Sequence, residues 1–255
     1  MRSALAILCL AAPLLAQRPS DAEAAALVEK ARDFALAYTA SLPDFLVTQM
    51  VHRFHDPRGN ERWQRLDVLT VRLSFFDHAE EYKLMEIDGK PTLLDYMNTG
   101  GPTSKGEFGT LLLFLFHPKM EAEFRWKGWR NIHKRRAAVY SYKVDQAHTK
   151  YHISYGAVAE GPNHIVAPYY GEVAIAPETG EILNVTQHAI LPAGFPIRQS
   201  TTIVEYDYAD VGGRKYLLPV HAEVTMSAGR YKSRNSVDFK EYRKFQTEAT
   251  ITFDK

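Results

Sequence analysis

Alternation of apolar and polar residues is the feature of this sequence that most limits its fold. From Phe45 onward every second residue tends to be apolar, as in Leu69–Phe75, Tyr151–Tyr155, Tyr216–Met226 and Ala249–Phe253, and each of these runs predicts a strand with one apolar face. Such alternation is typical of antiparallel strands that have one face in a core and the other in solvent. Turn-forming pairs such as Asp88–Gly89 and Gly212–Gly213 separate the runs. We count about ten or eleven strands, more than a strongly twisted open sheet holds unless it curls.

Two segments depart from this period and are predicted to be helices. Ser20 and Glu23 form a capping box, and the alanine-rich segment after them predicts a helix to about Ala40. A second capping box, at Ser104–Glu107, precedes the apolar segment Phe108–Phe116, which predicts a short helix that ends before Pro118.

The second predicted helix is apolar on all sides, so it must be covered on every side. One interpretation is a short helix packed against a curved sheet. The other is a plug or lid that fills an apolar cavity which a ligand could occupy, with Gly100–Pro102 as its hinge. The residues predicted to line this cavity are Phe108, Leu111, Leu112, Leu115 and Phe116.

The first sixteen residues are typical of a secretory signal peptide. Arg2 supplies the positive charge, an apolar run extends from Ala4 to Leu15, and Ala16 is the small residue of a cleavage site. The run is too short to span a bilayer, which takes about 20 residues. We therefore expect a signal peptide at 1–16 and a single β-rich domain at 17–255, exported to the periplasm or secreted, with no transmembrane span after processing.

Cysteine content and charge exclude several classes of function. The only cysteine, Cys9, lies in the predicted signal peptide, so disulfides, thiolate catalysis and cysteine-ligated zinc are not expected in the processed chain. Cys9 also lacks the context of a lipid-anchored cysteine, because Leu8 precedes it where a small residue is required. The net charge of +1 gives no general attraction to nucleic acid or to anionic membranes. Nucleic acid is therefore not an expected partner.

Motifs for catalysis or metal binding are missing from the sequence. His148 and His152 would share a strand face, but about 13 Å would separate them at about 3.3 Å per residue. Neither a His-Glu-x-x-His pattern nor a Gly-x-Ser-x-Gly pattern occurs. We expect no catalytic residue, no metal and no cofactor, and a protein that is not an enzyme. An enzyme whose residues come from distant strands remains the alternative.

Tryptophans and cations are concentrated between residues 126 and 136. Cationic and aromatic side chains together suit an anionic head group of a lipid or polysaccharide. The alternative is a hairpin whose tip is solvated and whose tryptophans pack in the core. The predicted head-group patch consists of Trp126, Lys127, Trp129, Arg130, Arg135 and Arg136.

A pattern of strand, turn and strand recurs in three stretches of the sequence: Leu42–Gln49, Gly171–Gly180 and Val204–Pro219. Together with the two predicted helices, they resemble the periplasmic lipoprotein-carrier fold of LolA-like carriers and RseB/MucB-like sensors. They also resemble an uncharacterised family of secreted bacterial proteins.

The resemblance implies a mainly β, α+β fold. A strongly curved antiparallel sheet, or half-barrel, would hold acyl chains on a concave face covered by helices. The expected function is non-enzymatic binding of an acyl chain, lipid or lipoprotein. The alternative is a periplasmic regulator or scaffold with a protein partner.

Overall fold

The computed structural model describes residues 18–100, 103, 109–155 and 164–245. Within these ranges there are two α-helices, α1 (Asp21–Ser41) and α2 (Thr110–Phe116), and two 3-10 turns, Tyr96–Asn98 and Pro118–Met120. The strands are β1 (Phe45–Asp56), β2 (Gln64–Phe76), β3 (Ala79–Ile87), β4 (Lys90–Pro91), β5 (Glu123–Ile132), β6 (Arg135–Val144), β7 (His152–Ser154), β8 (His164–Val166), β9 (Tyr169–Ile175), β10 (Ile182–Ala189), β11 (Gln199–Val211), β12 (Arg214–Ala228) and β13 (Tyr231–Lys244).

Eleven of these strands form one antiparallel sheet in the order β4-β3-β2-β1-β13-β12-β11-β10-β9-β6-β5. Strands β7 and β8 form a separate hairpin. The large sheet is curved and unclosed, with β4 at one edge and β5 at the other. The predicted fold class is confirmed: a mainly β, α+β half-barrel with an N-terminal helix and a short apolar helix.

Helix α1 begins at the predicted capping box and crosses one face of the sheet. Ser20 Oγ accepts the Glu23 N–H at 3.3 Å, and the Ser20 N–H donates to Glu23 Oε2 at 2.8 Å. Farther along, Tyr140 Oη on β6 donates to the Ala24 carbonyl at 3.0 Å, and Tyr38 Oη donates to the Leu217 carbonyl on β12 at 2.8 Å. The helix therefore covers the face of the sheet from β6 to β12.

Helix α2 packs beside α1 on the same side of the sheet. A guanidinium nitrogen of Arg32 donates to the Phe116 carbonyl at 2.6 Å. At the other end of α2, a Cβ placed on Gly109 would lie 2.4 Å from Thr39 Cγ2, so a larger residue here would force the Thr39 side chain to shift. Gly109 is the N-cap and provides no side-chain hydrogen bond. The predicted capping box at 104–107 lies outside the described residues.

Two details of the predicted strands are wrong. The segment Tyr216–Met226 was expected to present one face for its whole length, but β12 contains a bulge. Glu205 pairs with His221 and Tyr206 pairs with Pro219, so Val220 is skipped and the alternation changes phase. The strand predicted over 151–155 is also shorter, since β7 contains only His152–Ser154. The expected strand around 249–253 lies outside the described residues.

Across residues 18–100, 103, 109–155 and 164–245, the helices are all too short or too polar to cross a bilayer.

Candidate functional site

Register places a row of polar side chains across the helix-covered face of the sheet. Directly paired residues on antiparallel strands share a face, so the pairings can be followed from strand to strand. The row, called the polar row below, consists of Arg53, Asn235, Val224, Thr202 and Gln187, with Asp67 at one end and Gly171 and Tyr142 at the other. In the order of the sheet, the row with its end residues crosses eight neighbouring strands, from β2 through β1 and β13 to β9 and β6. Among the five central members, Val224 is the one apolar side chain.

A second row runs parallel to the polar row on the same face, two residues away from it on each strand and nearer to α1. It is entirely apolar except for a tyrosine hydroxyl. This apolar row consists of Leu69, Val51, Val237, Ala222, Val204, Val185, Val173 and Tyr140. Each of these side chains is buried. Tyr206, the next residue of β11 on this face, meets Tyr38 of α1 edge to face at 6.4 Å between ring centroids. The apolar row is therefore the layer nearer to α1, and the polar row is one layer farther away.

Two members of the polar row are buried without partners. Gln187 is 4 % exposed and Thr202 is 9 % exposed, and within the described part of the chain neither side chain makes a hydrogen bond. The polar atoms of both side chains keep a little solvent contact, so water can reach them and neither residue pays the full cost of an unpaired buried group. A third such group is Gln49, which is 3 % exposed and lies between Val71 and Phe239 on the same face. These groups are available to a bound molecule.

The charged member of the polar row is fully engaged. Arg53, 2 % exposed, donates to both carboxylate oxygens of Asp67 at 2.6 Å. Its remaining nitrogen donates to Thr99 Oγ1 at 3.1 Å and to the Gly100 carbonyl. The ion pair cancels the charge of the guanidinium, and the two loop contacts use its other donors. Arg53 was not anticipated from the sequence, because only the pairing of β1 with β2 reveals its partner.

The other end of the polar row depends on a glycine. Tyr142 Oη passes over Gly171 and donates to the Thr186 carbonyl at 2.8 Å. A Cβ on Gly171 would lie 1.7 Å from that carbonyl oxygen, so any other residue would displace the strand or the tyrosine. Burial, with a smaller contribution from Tyr169, raises the pKa of Tyr142 well above its ordinary value. The phenol is therefore neutral at physiological pH.

The residues predicted to line an apolar cavity lie on α2, apart from Phe108, which is outside the described residues. Leu112, Leu115 and Phe116 are fully buried in the main core, and Leu111 is partly buried against it. The Phe116 ring stacks on Phe124 of β5 at 5.3 Å between centroids. The described part of α2 therefore belongs to the layer that covers the sheet.

The predicted head-group patch is divided in the structure. Arg136 stacks over the Trp129 ring at 3.6 Å from its centroid, and Trp129 meets Trp126 edge to face at 5.0 Å. Two other cations are held by carboxylates instead: Arg130 lies 3.0 Å from Glu172, and Arg135 pairs with Glu181. Lys127 is exposed.

Trp129 also borders an open cleft against the first half of α1. The cleft has a volume of about 720 Å³, and α1 and its leader contribute Arg18, Glu23 and Lys30 to its walls, together with Leu27. The two indoles and Arg136 thus stand beside a cleft, whereas Arg130 and Arg135 are tied to the sheet.

Glu181 is the centre of a hydrogen-bonded cluster outside the polar row. Burial alone would raise the pKa of this carboxyl, but hydrogen bonds from Tyr208 and Arg135 outweigh it and hold the pKa below its ordinary value. The carboxylate is therefore ionised at neutral pH and fixes the Arg135 end of β6.

Histidines come together at one place, the β7–β8 hairpin. His152 Nδ1 lies 3.0 Å from His164 Nε2, and His164 Nδ1 lies 3.0 Å from Ser154 Oγ. His148 is not part of this group and approaches Glu121 at 3.6 Å instead. Among the described residues, no set of three or more histidines, cysteines or carboxylates is placed to hold a metal ion.

No protein-family model matches this chain. A search of curated proteins likewise returns no match.

Solved structures do show similarity. An outer membrane lipoprotein-sorting protein domain from Vibrio parahaemolyticus has a TM-score of 0.40 at 13 % identity, covering 88 % of this chain and 93 % of its own. A DUF1329 family protein from Desulfovibrio piger has a TM-score of 0.40 at 7 % identity, with coverage of 88 % and 95 %. A LolA superfamily protein from Nitrosomonas europaea has a TM-score of 0.32 at 10 % identity, with coverage of 91 % and 97 %. The predicted resemblance to LolA-like proteins is thus confirmed at the level of structure. It concerns the fold alone.

Proposed function

We propose that this chain is an exported, non-enzymatic binding protein for an amphipathic ligand, an acyl chain, lipid or lipoprotein, in the periplasm. The observation that carries the proposal is the pair of rows on the covered face of the sheet. The apolar row, which the helices cover in this structure, would offer a surface to an acyl chain once that cover moved aside, and the adjacent polar row offers two side chains without hydrogen-bond partners, Gln187 and Thr202. Polar side chains on a covered face that make no hydrogen bond within the protein can bond to a ligand.

The two sequence-derived sets of residues have separate places in this proposal. Helix α2, with Leu111, Leu112, Leu115 and Phe116, would cover the acyl chain, together with Phe108. The tryptophans and cations of the head-group patch would meet an anionic head group at the cleft beside α1, where Arg136 already stacks on Trp129. Arg130 and Arg135 would contribute only if they left their carboxylate partners.

Titration with a neutral fluorescent probe, N-phenyl-1-naphthylamine, tests the proposal. We expect saturable binding to the wild type and weaker binding to Ala222→Leu, which adds three carbons to the apolar row. Ala79→Leu makes the same change at the exposed first residue of β3, so it should bind as the wild type does. Lack of saturable binding to the wild type would refute the ligand-binding function. If the probe does bind, native mass spectrometry of protein taken from its own periplasm would identify any lipid that co-purifies.

One observation favours the alternative, a regulator or scaffold with a protein partner. The segment after β4 exposes Leu93 at 105 %, Leu94 at 53 % and Met97 at 48 % of their reference areas. Clustered exposed apolar side chains are typical of protein contact sites. If this function holds, Leu93→Ser should abolish a specific cross-link to a periplasmic protein, and the wild type should not bind the probe.

Export is part of the proposal and has its own test. We expect N-terminal sequencing of the protein from its native host to begin at or near Gln17, without an acyl group. An intact Met1 or a lipidated Cys9 would contradict the proposed compartment.

A further inference from the structure

We infer that the ligand presents a neutral hydrogen-bonding group, an ester or an amide, to Gln187 and Thr202, and that a free carboxylate is disfavoured there. The inference rests on the proposed function and adds the chemical class of the group that meets the polar row. It follows from three properties of the row: the chemistry of its unpaired groups, its charge, and its distance from the apolar row.

The unpaired groups are a primary amide and a hydroxyl on neighbouring strands. Gln187 on β10 is directly opposite Thr202 on β11, which places their Cβ atoms about 4.5–5.5 Å apart. The amide offers two N–H donors and a carbonyl acceptor, and the hydroxyl offers one donor and two lone pairs. A carbonyl oxygen between them can accept from both side chains. An amide N–H of the ligand can also donate to the Gln187 carbonyl.

The charge of the row argues against an anion. Arg53 is the only cation among its members, and the Asp67 carboxylate already neutralises it through two hydrogen bonds. Contacts with Thr99 and Gly100 take the other donors of the guanidinium. A carboxylate placed beside Gln187 would therefore be a buried charge without a counter-ion, which costs far more than a buried neutral group with hydrogen bonds.

The spacing of the rows sets the position of the acyl chain. The apolar row is two residues from the polar row along each strand, about 7 Å at about 3.3 Å per residue. An ester carbonyl at Gln187 therefore places the first carbons of its chain against Val185 and Val204, toward α1. A molecule with this order of groups matches both rows.

Three pyrene-labelled probes that share one hexadecanoyl chain test the inference: the free acid, its methyl ester and its primary amide, titrated at pH 8. We expect the ester and the amide to bind at least about tenfold more tightly than the acid, since a tenfold change corresponds to about 1.4 kcal/mol. Gln187→Met and Thr202→Val, which keep shape and remove the polar group, should each weaken ester binding about three- to tenfold. Thr225→Val, a matched change on the opposite face of β12, should leave it unchanged.

Each outcome decides a different point. If the acid binds as tightly as the ester, the neutral class is wrong while the ligand-binding function stands. If the ester binds well but ignores both substitutions in the polar row, the assignment to Gln187 and Thr202 is wrong. If none of the three probes binds, the proposed function itself fails. Because neither side chain makes a hydrogen bond in the protein, both substitutions should leave the urea midpoint close to that of the wild type, which keeps the binding data interpretable.

Discussion

Leu115→Ala tests two properties of α2: whether it packs against the core, and whether a ligand can bind beneath it. Leu115 is fully buried where α2 packs against the core. The substitution removes three carbons, worth about 2.4 kcal/mol at about 0.8 kcal/mol per buried CH₂. The space left behind adds a cavity cost, which brings buried leucine-to-alanine changes to about 2–5 kcal/mol. We expect a loss of this size in the free energy of unfolding.

Urea denaturation followed by tryptophan fluorescence measures the effect. With an m-value of about 3 kcal/mol per molar urea, a loss of 3 kcal/mol lowers the midpoint by about 1 M. Leu93→Ala is the matched control, because it deletes the same atoms from a fully exposed side chain and should cost less than about 0.5 kcal/mol. A change of under 0.5 kcal/mol for Leu115→Ala would show that α2 does not pack as described.

The same variant separates a ligand carrier from a scaffold. In a carrier, trimming Leu115 enlarges the space beneath α2, so the variant should be less stable but bind the neutral probe as tightly as the wild type or more tightly. A scaffold would lose stability and bind nothing in either form. Both titrations are run at urea concentrations below the unfolding transitions.

Three further predictions concern polar groups. Gln187→Met should change the stability of the ligand-free protein by less than about 1 kcal/mol in urea titrations, because the amide makes no hydrogen bond in the protein and keeps some solvent contact; a larger loss of stability would mean that the amide is paired. Glu181→Gln should destabilise the protein by about 1 kcal/mol at pH 7. The pKa of Glu181 is lower in the folded state than in the unfolded state, where it is about 4.3. The difference in stability between wild type and variant should therefore persist above about pH 4.3 and shrink as the pH falls through the folded-state pKa. A difference that does not change with pH would contradict this. Burial raises the pKa of Tyr140 to about 12 in the folded state. The stability contributed by its neutral phenol is therefore complete below about pH 10, the unfolded-state pKa, and is lost as the pH rises toward 12. Tyr140→Phe should lower stability at neutral pH, through the lost bond to Ala24, and flatten the alkaline decline measured by circular dichroism.

The elements of this fold were predictable because their causes are local. The capping box at Ser20 and Glu23 marks the start of α1 to the residue. The alternation over Leu69–Phe75 identifies both a strand and its buried side. The bulge in β12 was not predictable, since it depends on how β11 pairs with β12 around Val220 and not on either strand alone.

The polar row was missed for a related reason. Arg53, Thr202 and Gln187 lie on three different strands, and periodicity shows which side of a strand a residue faces but not which residue lies opposite it. A glutamine at a core-facing position is the available clue in the sequence, as it interrupts an otherwise apolar face. The head-group patch shows the converse, because Arg130 and Arg135 are close to the tryptophans in sequence but pair with carboxylates elsewhere, Glu172 on β9 and Glu181 in the connection before β10.

The order of strands also bears on when the chain can fold. Strand β1 has the last described strand, β13, as one of its two neighbours, with Val51 opposite Val237. The β1–β2–β3 part can form as local hairpins, but it joins the rest of the sheet only after nearly the whole chain has been synthesised. Contacts between such distant residues slow folding, because a long loop must close before they are made. A chain with this topology can form its local hairpins early, but it completes the sheet only when β13 becomes available to pair with both β1 and β12.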